Sequence, residues 1–399
     1  MITEVILENF KSHRHTQLKF DDSRLHAIVG QNSSGKTSVL QAIYYWSKVI
    51  IDPKRDYFQE EREPKSLISK TKDFQIITTQ GYLSQKSPSS QWKIFYGIGE
   101  RTDYVPHLSI TVDYNSTSIS SREDFELFLQ EKKLPFQSEI LHESESISYT
   151  KLVKDRLSPP SYIDDVKPNL SANGFGLAAV IDYIRDEDYD AFKEIERMLK
   201  SVVPEVKKLR IRRAKLERNR QRSIQLDDGT KIPYQEQQEL IGKEVVLDMK
   251  SGDRIPGHAL SEGTILTLGL LTVLMSPQRP NLILLDDIQQ GLHPKAQLEL
   301  MTVIKGIIQE NPELQIIFTT HSPYILDELE PSQVHVLNTD ENGYTISKRL
   351  DEHPDIEWAM KTLSTGEIWD AEGEEWVTAD EPQAAETVEP EQGEEAAIS

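Results

Sequence analysis

The chain has no cysteine among its 399 residues, which excludes disulfide frameworks, thiolate metal sites, redox dithiols and a cysteine nucleophile. No apolar run approaches the roughly 18 residues a membrane span requires. The first ten residues lack the basic-then-apolar order of a secretory leader. A soluble, cytoplasmic protein with no membrane partner is the expectation. Heptads long enough for coiled-coil arms are also missing, as is any repeat at a fixed period. Positive charge is lacking at one end, where no Lys or Arg occurs from Asp370 onward.

The uneven charge changes what the net value means. The whole chain carries −21, from 45 basic and 66 acidic residues. Residues 351–399 hold sixteen acidic residues and one basic residue, a net of −15 that leaves only −6 on residues 1–350. From Thr378 the composition is Glu, Ala, Pro, Gln and Thr with few apolar groups. A largely disordered acidic tail over 351–399 is expected, either solubilising or competing for a basic groove.

Hydrophobic patterning places ordered blocks at the two ends of the chain. Residues 3–10 and 16–20 read as strands, and Leu25–Val29 is a short apolar run suited to a buried central strand. Residues 38–49 then switch to helical spacing. Near the other end, residues 268–274 form an apolar helical stretch, residues 281–287 a buried strand ending in carboxylates, Pro294–Gln309 an amphipathic helix, and residues 314–320 a second buried strand. Val334–Leu337 and Tyr344–Ser347 predict an edge hairpin turning at Asn342-Gly343. Strands alternating with helices imply an α/β fold with a parallel sheet. Between the blocks the pattern is irregular, with strands predicted over Gln75–Tyr82, Lys93–Gly97 and Leu108–Tyr114, a helix over Asp182–Val203 and a strand after Pro204. In that strand Lys208, Arg210 and Arg212 alternate with Leu209 and Ile211, and Arg213 follows. The basic stretch is either a nucleic-acid face or a solvated strand face neutralised by acidic neighbours.

Gly30-Gln31-Asn32-Ser33-Ser34-Gly35-Lys36-Thr37 satisfies the phosphate-loop pattern between a buried strand and a helix, with Ser38 continuing into that helix. The glycines let successive backbone N–H groups face phosphate oxygens, and the helix N-terminus adds partial positive charge. Lys36 would reach the β- and γ-phosphates of ATP, and the Thr37 hydroxyl would ligate Mg²⁺. At the end of the strand formed by residues 282–285, Asp286 is the natural partner for the metal. Asp287 could accept the proton of the attacking water.

As a set these motifs resemble ABC-type ATPases of the SMC, RecF and OLD kind, within the AAA family. Ile6–Ser12 and the phosphate loop resemble that family's N-terminal segment. Leu260–Thr264 resembles its signature motif, Asp286–Pro294 its Walker B and D-loop, and Thr320–Pro323 its switch histidine. The resemblance covers about residues 1–50 and 255–340. It implies a P-loop ABC-ATPase-like core, a mixed sheet flanked by helices, in which Ser261 and the Gly263 backbone of one subunit contact the γ-phosphate bound by the other. It also implies that His321 senses that phosphate. Asp287 stands one methylene short of the family's usual glutamate, and the Q-loop glutamine cannot be placed among Gln75, Gln80 and Gln85.

The resulting expectation is a composite core over 1–50 and 241–350 and an inserted α+β region over 51–240, without coiled-coil arms or a Toprim nuclease domain. Such a head would dimerise around two ATP·Mg²⁺. It would control a separately encoded effector, or a DNA or RNA transaction, in anti-phage defence or genome maintenance. The alternative is an ATP-controlled scaffold that does not turn over. The Trp-bearing acidic segment Leu363–Trp376 reads as a docking peptide.

Overall fold

The computed structural model describes residues 2–51, 75–81, 90–96, 110–112, 117–119, 146–225 and 231–379. Strands β1 (Ile2–Phe10), β2 (His13–Lys19) and β3 (Leu25–Gly30) precede helix α1 (Lys36–Ile51). Then come β4 (Gln75–Gly81), β5 (Ser90–Tyr96), the short pair β6 (Ile110–Val112) and β7 (Thr117–Ile119), and β8 (Ile147–Thr150). The one-turn helix α2 (Lys154–Leu157) and helices α3 (Leu177–Glu187) and α4 (Tyr189–Val202) follow. They lead to a long hairpin of β9 (Val206–Gln225) and β10 (Lys231–Met249), with β11 (Arg254–Pro256) alongside. The last part runs α5 (Glu262–Leu274), β12 (Leu282–Leu285), α6 (Pro294–Glu310), β13 (Gln315–Thr319) and α7 (Pro323–Leu326). It ends with β14 (Val334–Thr339), β15 (Thr345–Arg349), α8 (Ile356–Ala359) and α9 (Thr365–Glu372).

The main sheet has six strands in the order β15-β14-β3-β13-β12-β8. All neighbours in it pair in parallel except β14 with β15. Its central strands β3, β12 and β13 are buried at every residue, which is why they read as continuous apolar runs rather than alternating ones. Helix α5 is buried all round, from Gly263 to Leu274, and so lacks an amphipathic stripe. A second, antiparallel sheet of order β2-β1-β4-β5 lies against the edge of the first. The seam is held by Thr345 N–H donating to Ser12 O at 2.8 Å and Ser347 Oγ donating to Gln17 O at 2.7 Å.

Three expectations need correction. The helix expected over Asp182–Val203 is two helices, α3 and α4, because Asp188 leaves helical geometry and its carboxylate accepts from Ala191 N–H at 2.9 Å, capping α4. The inserted region expected over 51–240 does not stay outside the core. β8 forms an edge of the main sheet beside β12, and α3 and α4 bury Leu177, Ile181, Ile184, Ile195 and Leu199 in the main core. The core therefore resumes at Ile147 rather than at 241. A strand of four residues in an irregular stretch carries too little pattern to identify.

The third concerns the acidic end. Residues 351–379 are ordered, with Ala359, Ile368 and Val377 at most 3% exposed. Helix α9 starts with a capping box between Ser364 and Glu367. Gly366 sits so close to α7 that a Cβ there would lie 2.0 Å from Pro323 O. Its N–H donates to Asp327 Oδ1 at 2.9 Å. Leu363, Trp369 and Trp376 pack on the main core, so the docking peptide expected at Leu363–Trp376 is occupied by its own chain. The remainder of the expected tail, 380–399, lies outside the described residues. Ile368→Ala should destabilise the protein by about 2–5 kcal/mol, read as a lower denaturant midpoint. An unchanged midpoint would show that α9 is dispensable to the core.

Candidate nucleotide site

The phosphate loop joins β3 to α1. Its conformation requires glycine at two places: Gly30 has φ 142°, where a Cβ would lie 2.1 Å from Leu337 O, and Gly35 has φ 96° with His13 Nε2 at 2.7 Å from such a Cβ. Ser33 also takes positive φ, 70°. Gln31, Asn32 and Ser33 are exposed, whereas Ser34 and Lys36 are buried. Lys36 Nζ donates to Gly30 O at 2.8 Å and to Gln31 O at 2.7 Å. Burial pulls the Lys36 pKa below its ordinary value, against the raising charges of Asp287 and Asp286.

A polar floor lies beneath the loop. His13 is fully buried, its Nε2–H donating to Gly35 O at 3.3 Å, and its Nδ1 lies 3.0 Å from Thr16 Oγ1. Thr345 Oγ1 donates to Ser34 O at 3.0 Å and lies 2.7 Å from Ser12 Oγ. Burial lowers the His13 pKa from 6.5 to about 4, helped by Lys11 and opposed by its bond to Gly35. A neutral imidazole therefore braces the loop.

The carboxylates stand at the end of β12, one strand beyond β13 from β3. Asp286 accepts from Thr37 Oγ1 at 3.0 and 3.1 Å, from Thr319 Oγ1 at 2.6 Å and from Lys151 Nζ at 2.8 Å. Asp287 has φ 58°, a left-handed conformation that Asp tolerates better than most residues. Its N–H is held by Thr319 Oγ1 at 2.9 Å. Beyond β13, burial and the charge of Lys36 lower the His321 pKa, opposed by Asp287 and Asp286. His321 is thus neutral near pH 7 and faces the same charges as the loop. Ser322 next to it donates to Gln297 of α6.

The structure thus brings together Lys36, Thr37, Asp286, Asp287 and His321. It does not bring Ser261 or Gly263 to the phosphate loop of the same chain by any hydrogen bond among the described residues. Ser261 is exposed and caps α5, with its Oγ accepting from Thr264 N–H at 3.3 Å. Gly263 is buried against the turn after β12, where a Cβ would come within 2.2 Å of Gly291 O. In the basic strand, Arg210 pairs with Asp248 at 2.6 Å and Arg212 with Glu244 at 2.7 Å, both acids on the neighbouring β10. Much of the positive face formed with Lys208 and Arg213 is therefore offset across the hairpin.

Sequence reasoning missed Lys151, Thr319 and His13. Gln75 and Gln80 lie on β4 in the antiparallel sheet, and Gln85 lies outside the described residues. The strand adjoining Asp286 is β8, which is followed by Lys151. No motif surrounds Lys151, and only the pairing of β8 with β12 reveals it.

The donor set suits a nucleotide triphosphate with a hard divalent cation: an ammonium, a helix N-terminus, a hydroxyl beside a buried carboxylate, and the buried Ser34 Oγ without a hydrogen-bond partner among the described residues. The sheet order and these motifs define a P-loop ATPase of the ABC type, in the SMC, RecF and OLD lineage. Residues 25–327 match the family described as "AAA domain, putative AbiEii toxin, Type IV TA system", and the chain belongs to it. It is also similar to the DNA replication and repair protein RecF of Bacillus mycoides (strain KBAB4), 42% identical over 43 residues, 11% of each chain. To the Septu protein PtuA of Bacillus thuringiensis it is 31% identical over 87 residues, 22% of this chain and 20% of that one. The matched parts thus span a fifth or less of these relatives' lengths. An SMC head bound to the C-winged helix domain of ScpA shares the fold with a TM-score of 0.54 at 14% identity, over 88% of this chain and 99% of that one. Among the described residues, no helix is long and apolar enough to cross a membrane.

Proposed function

We propose that the chain binds and hydrolyses ATP·Mg²⁺, dimerises around the nucleotide, and uses that closure to control a separately encoded effector or a nucleic-acid transaction. The observation that carries this reading is the convergence of Thr37, Thr319 and Lys151 on the buried Asp286, beside Asp287. Gly30–Ser38 would hold the phosphates, Lys36 their charge, and Thr37 and Asp286 the metal. Mg²⁺ would neutralise phosphate charge and polarise the terminal phosphoryl group. Asp287 accepts the proton of the attacking water, and His321 donates a hydrogen bond toward the terminal phosphate. Ser261 is exposed at the N-terminus of α5, as a group acting on a second subunit's nucleotide must be. The family description, with its toxin–antitoxin system, supports a role in defence, and the likeness to RecF supports genome maintenance.

The second reading, ATP as a structural ligand, is favoured by the reach of Asp287, one methylene shorter than a glutamate. Single-turnover phosphate release with light scattering separates the two. Turnover abolished by Asp287→Asn, with ATP-dependent dimers retained, supports the ATPase. Dimers without turnover in the unaltered chain support the scaffold.

A further inference from the structure

Lys151 is the first residue after β8, and the register that pairs Thr150 with Leu285 sets it beside Asp286. Its Nζ lies 2.8 Å from Asp286 Oδ2 and 3.5 Å from Asp287 Oδ2. One ammonium therefore spans both carboxylates, and it makes the only ion pair of Asp286 among the described residues.

The two partners differ in their freedom. The Asp286 side chain is 1% exposed and held by two threonine hydroxyls, while the Lys151 side chain is 47% exposed. A divalent cation held through Asp286 would meet a positive charge on the same carboxylate, and two cations there repel. Only the lysine can move, since it is a compact charge on a flexible four-carbon stem. The terminal phosphate is the new anion that ATP brings to the end of this sheet.

We propose that Lys151 is an exchangeable counter-ion: its ammonium sits on the Asp286–Asp287 pair in the nucleotide-free chain and moves to the terminal phosphate of bound ATP. In its first position it keeps two adjacent carboxylates from repelling. In its second it frees Asp287 to accept a proton and adds a positive charge where negative charge develops. Lys151 thus makes release of the carboxylate pair depend on the nucleotide.

The inference rests on the ATPase reading, and the test keeps the two apart. Binding of a non-hydrolysable ATP analogue by the full chain is titrated with Mg²⁺, for the unaltered protein, Lys151→Met and Lys151→Arg, and single-turnover phosphate release is measured on each. Lys151→Met should lower the half-saturating Mg²⁺ concentration about tenfold and slow phosphate release about 100-fold, with Lys151→Arg recovering most of the rate. An unchanged Mg²⁺ dependence in Lys151→Met, even with a lower melting temperature, overturns the exchange and leaves Lys151 a structural strut. If the unaltered chain binds no analogue at any Mg²⁺ concentration, the ATPase reading falls and this inference falls with it.

Discussion

Asp286→Asn should abolish ATP turnover, lowering the single-turnover rate by about 10³-fold or more, while leaving the fold intact. The substitution keeps the shape of the side chain, so the hydroxyls of Thr37 and Thr319 retain an acceptor at one oxygen. It removes the charge that Lys151 meets at 2.8 Å and on which a metal bound through Thr37 would depend. It also removes one of the three charges, those of Asp287, Asp286 and Glu374, that offset burial at Lys36. Phosphate release measured with the melting temperature checks this result. A variant that releases phosphate at the rate of the unaltered chain would displace Asp286 from the centre of the site.

The second large effect is acid lability. His13 and His26 have pKa values lowered to about 4, and that of His335 lies well below 6.5; burial dominates in all three cases. Lys11 adds to the lowering at His13, and Arg349 to that at His26 and His335, whereas Asp21 opposes it at the latter two. In the unfolded chain these imidazoles titrate near 6.5. Between about pH 6.5 and 4 the unfolded state binds more protons than the folded one, so stability is full above 6.5 and is lost as the pH falls. Each uncompensated proton contributes a slope of about 1.4 kcal/mol per pH unit, and three together about 4. At that slope an ordinary stability of about 5–15 kcal/mol is used up within roughly one to four pH units. Thermal melts from pH 7.5 to 4.5 should show a steep fall beginning near pH 6.5. A melting temperature constant down to pH 5 would contradict the neutral buried imidazoles.

This trio also marks a limit of sequence reading. His26 sits in β3, a strand recognised from its apolar run, yet nothing in that run shows that Phe20, His26 and His335 meet edge-to-face or tilted, with ring centroids 4.8–5.7 Å apart. Their contact depends on β14 pairing with β3, more than 300 residues along the chain. The phosphate loop, by contrast, was legible because its chemistry needs consecutive residues between a strand and a helix. Asp286-Asp287 was legible for the same reason, at the end of an apolar run. The basic strand is legible as a strand, and neutralisation by acidic neighbours is one of its two readings, but which acids offset it is not legible, because Asp248 and Glu244 come from the returning strand of the hairpin. The acidic end misled because composition counts charges without seeing that Ala359, Ile368 and Val377 are spaced to reach the core.

By itself the sequence determined the P-loop class, the extent of the loop and the carboxylate pair, since each is encoded within a few neighbouring positions. Only the tertiary structure decided that β8 belongs to the main sheet, that Lys151 bridges the two aspartates, that His13 and Thr345 support the loop from below, and that Gly263 packs closely against Gly291 of its own chain. Those facts follow from pairings between distant strands, and no local pattern of residues carries them.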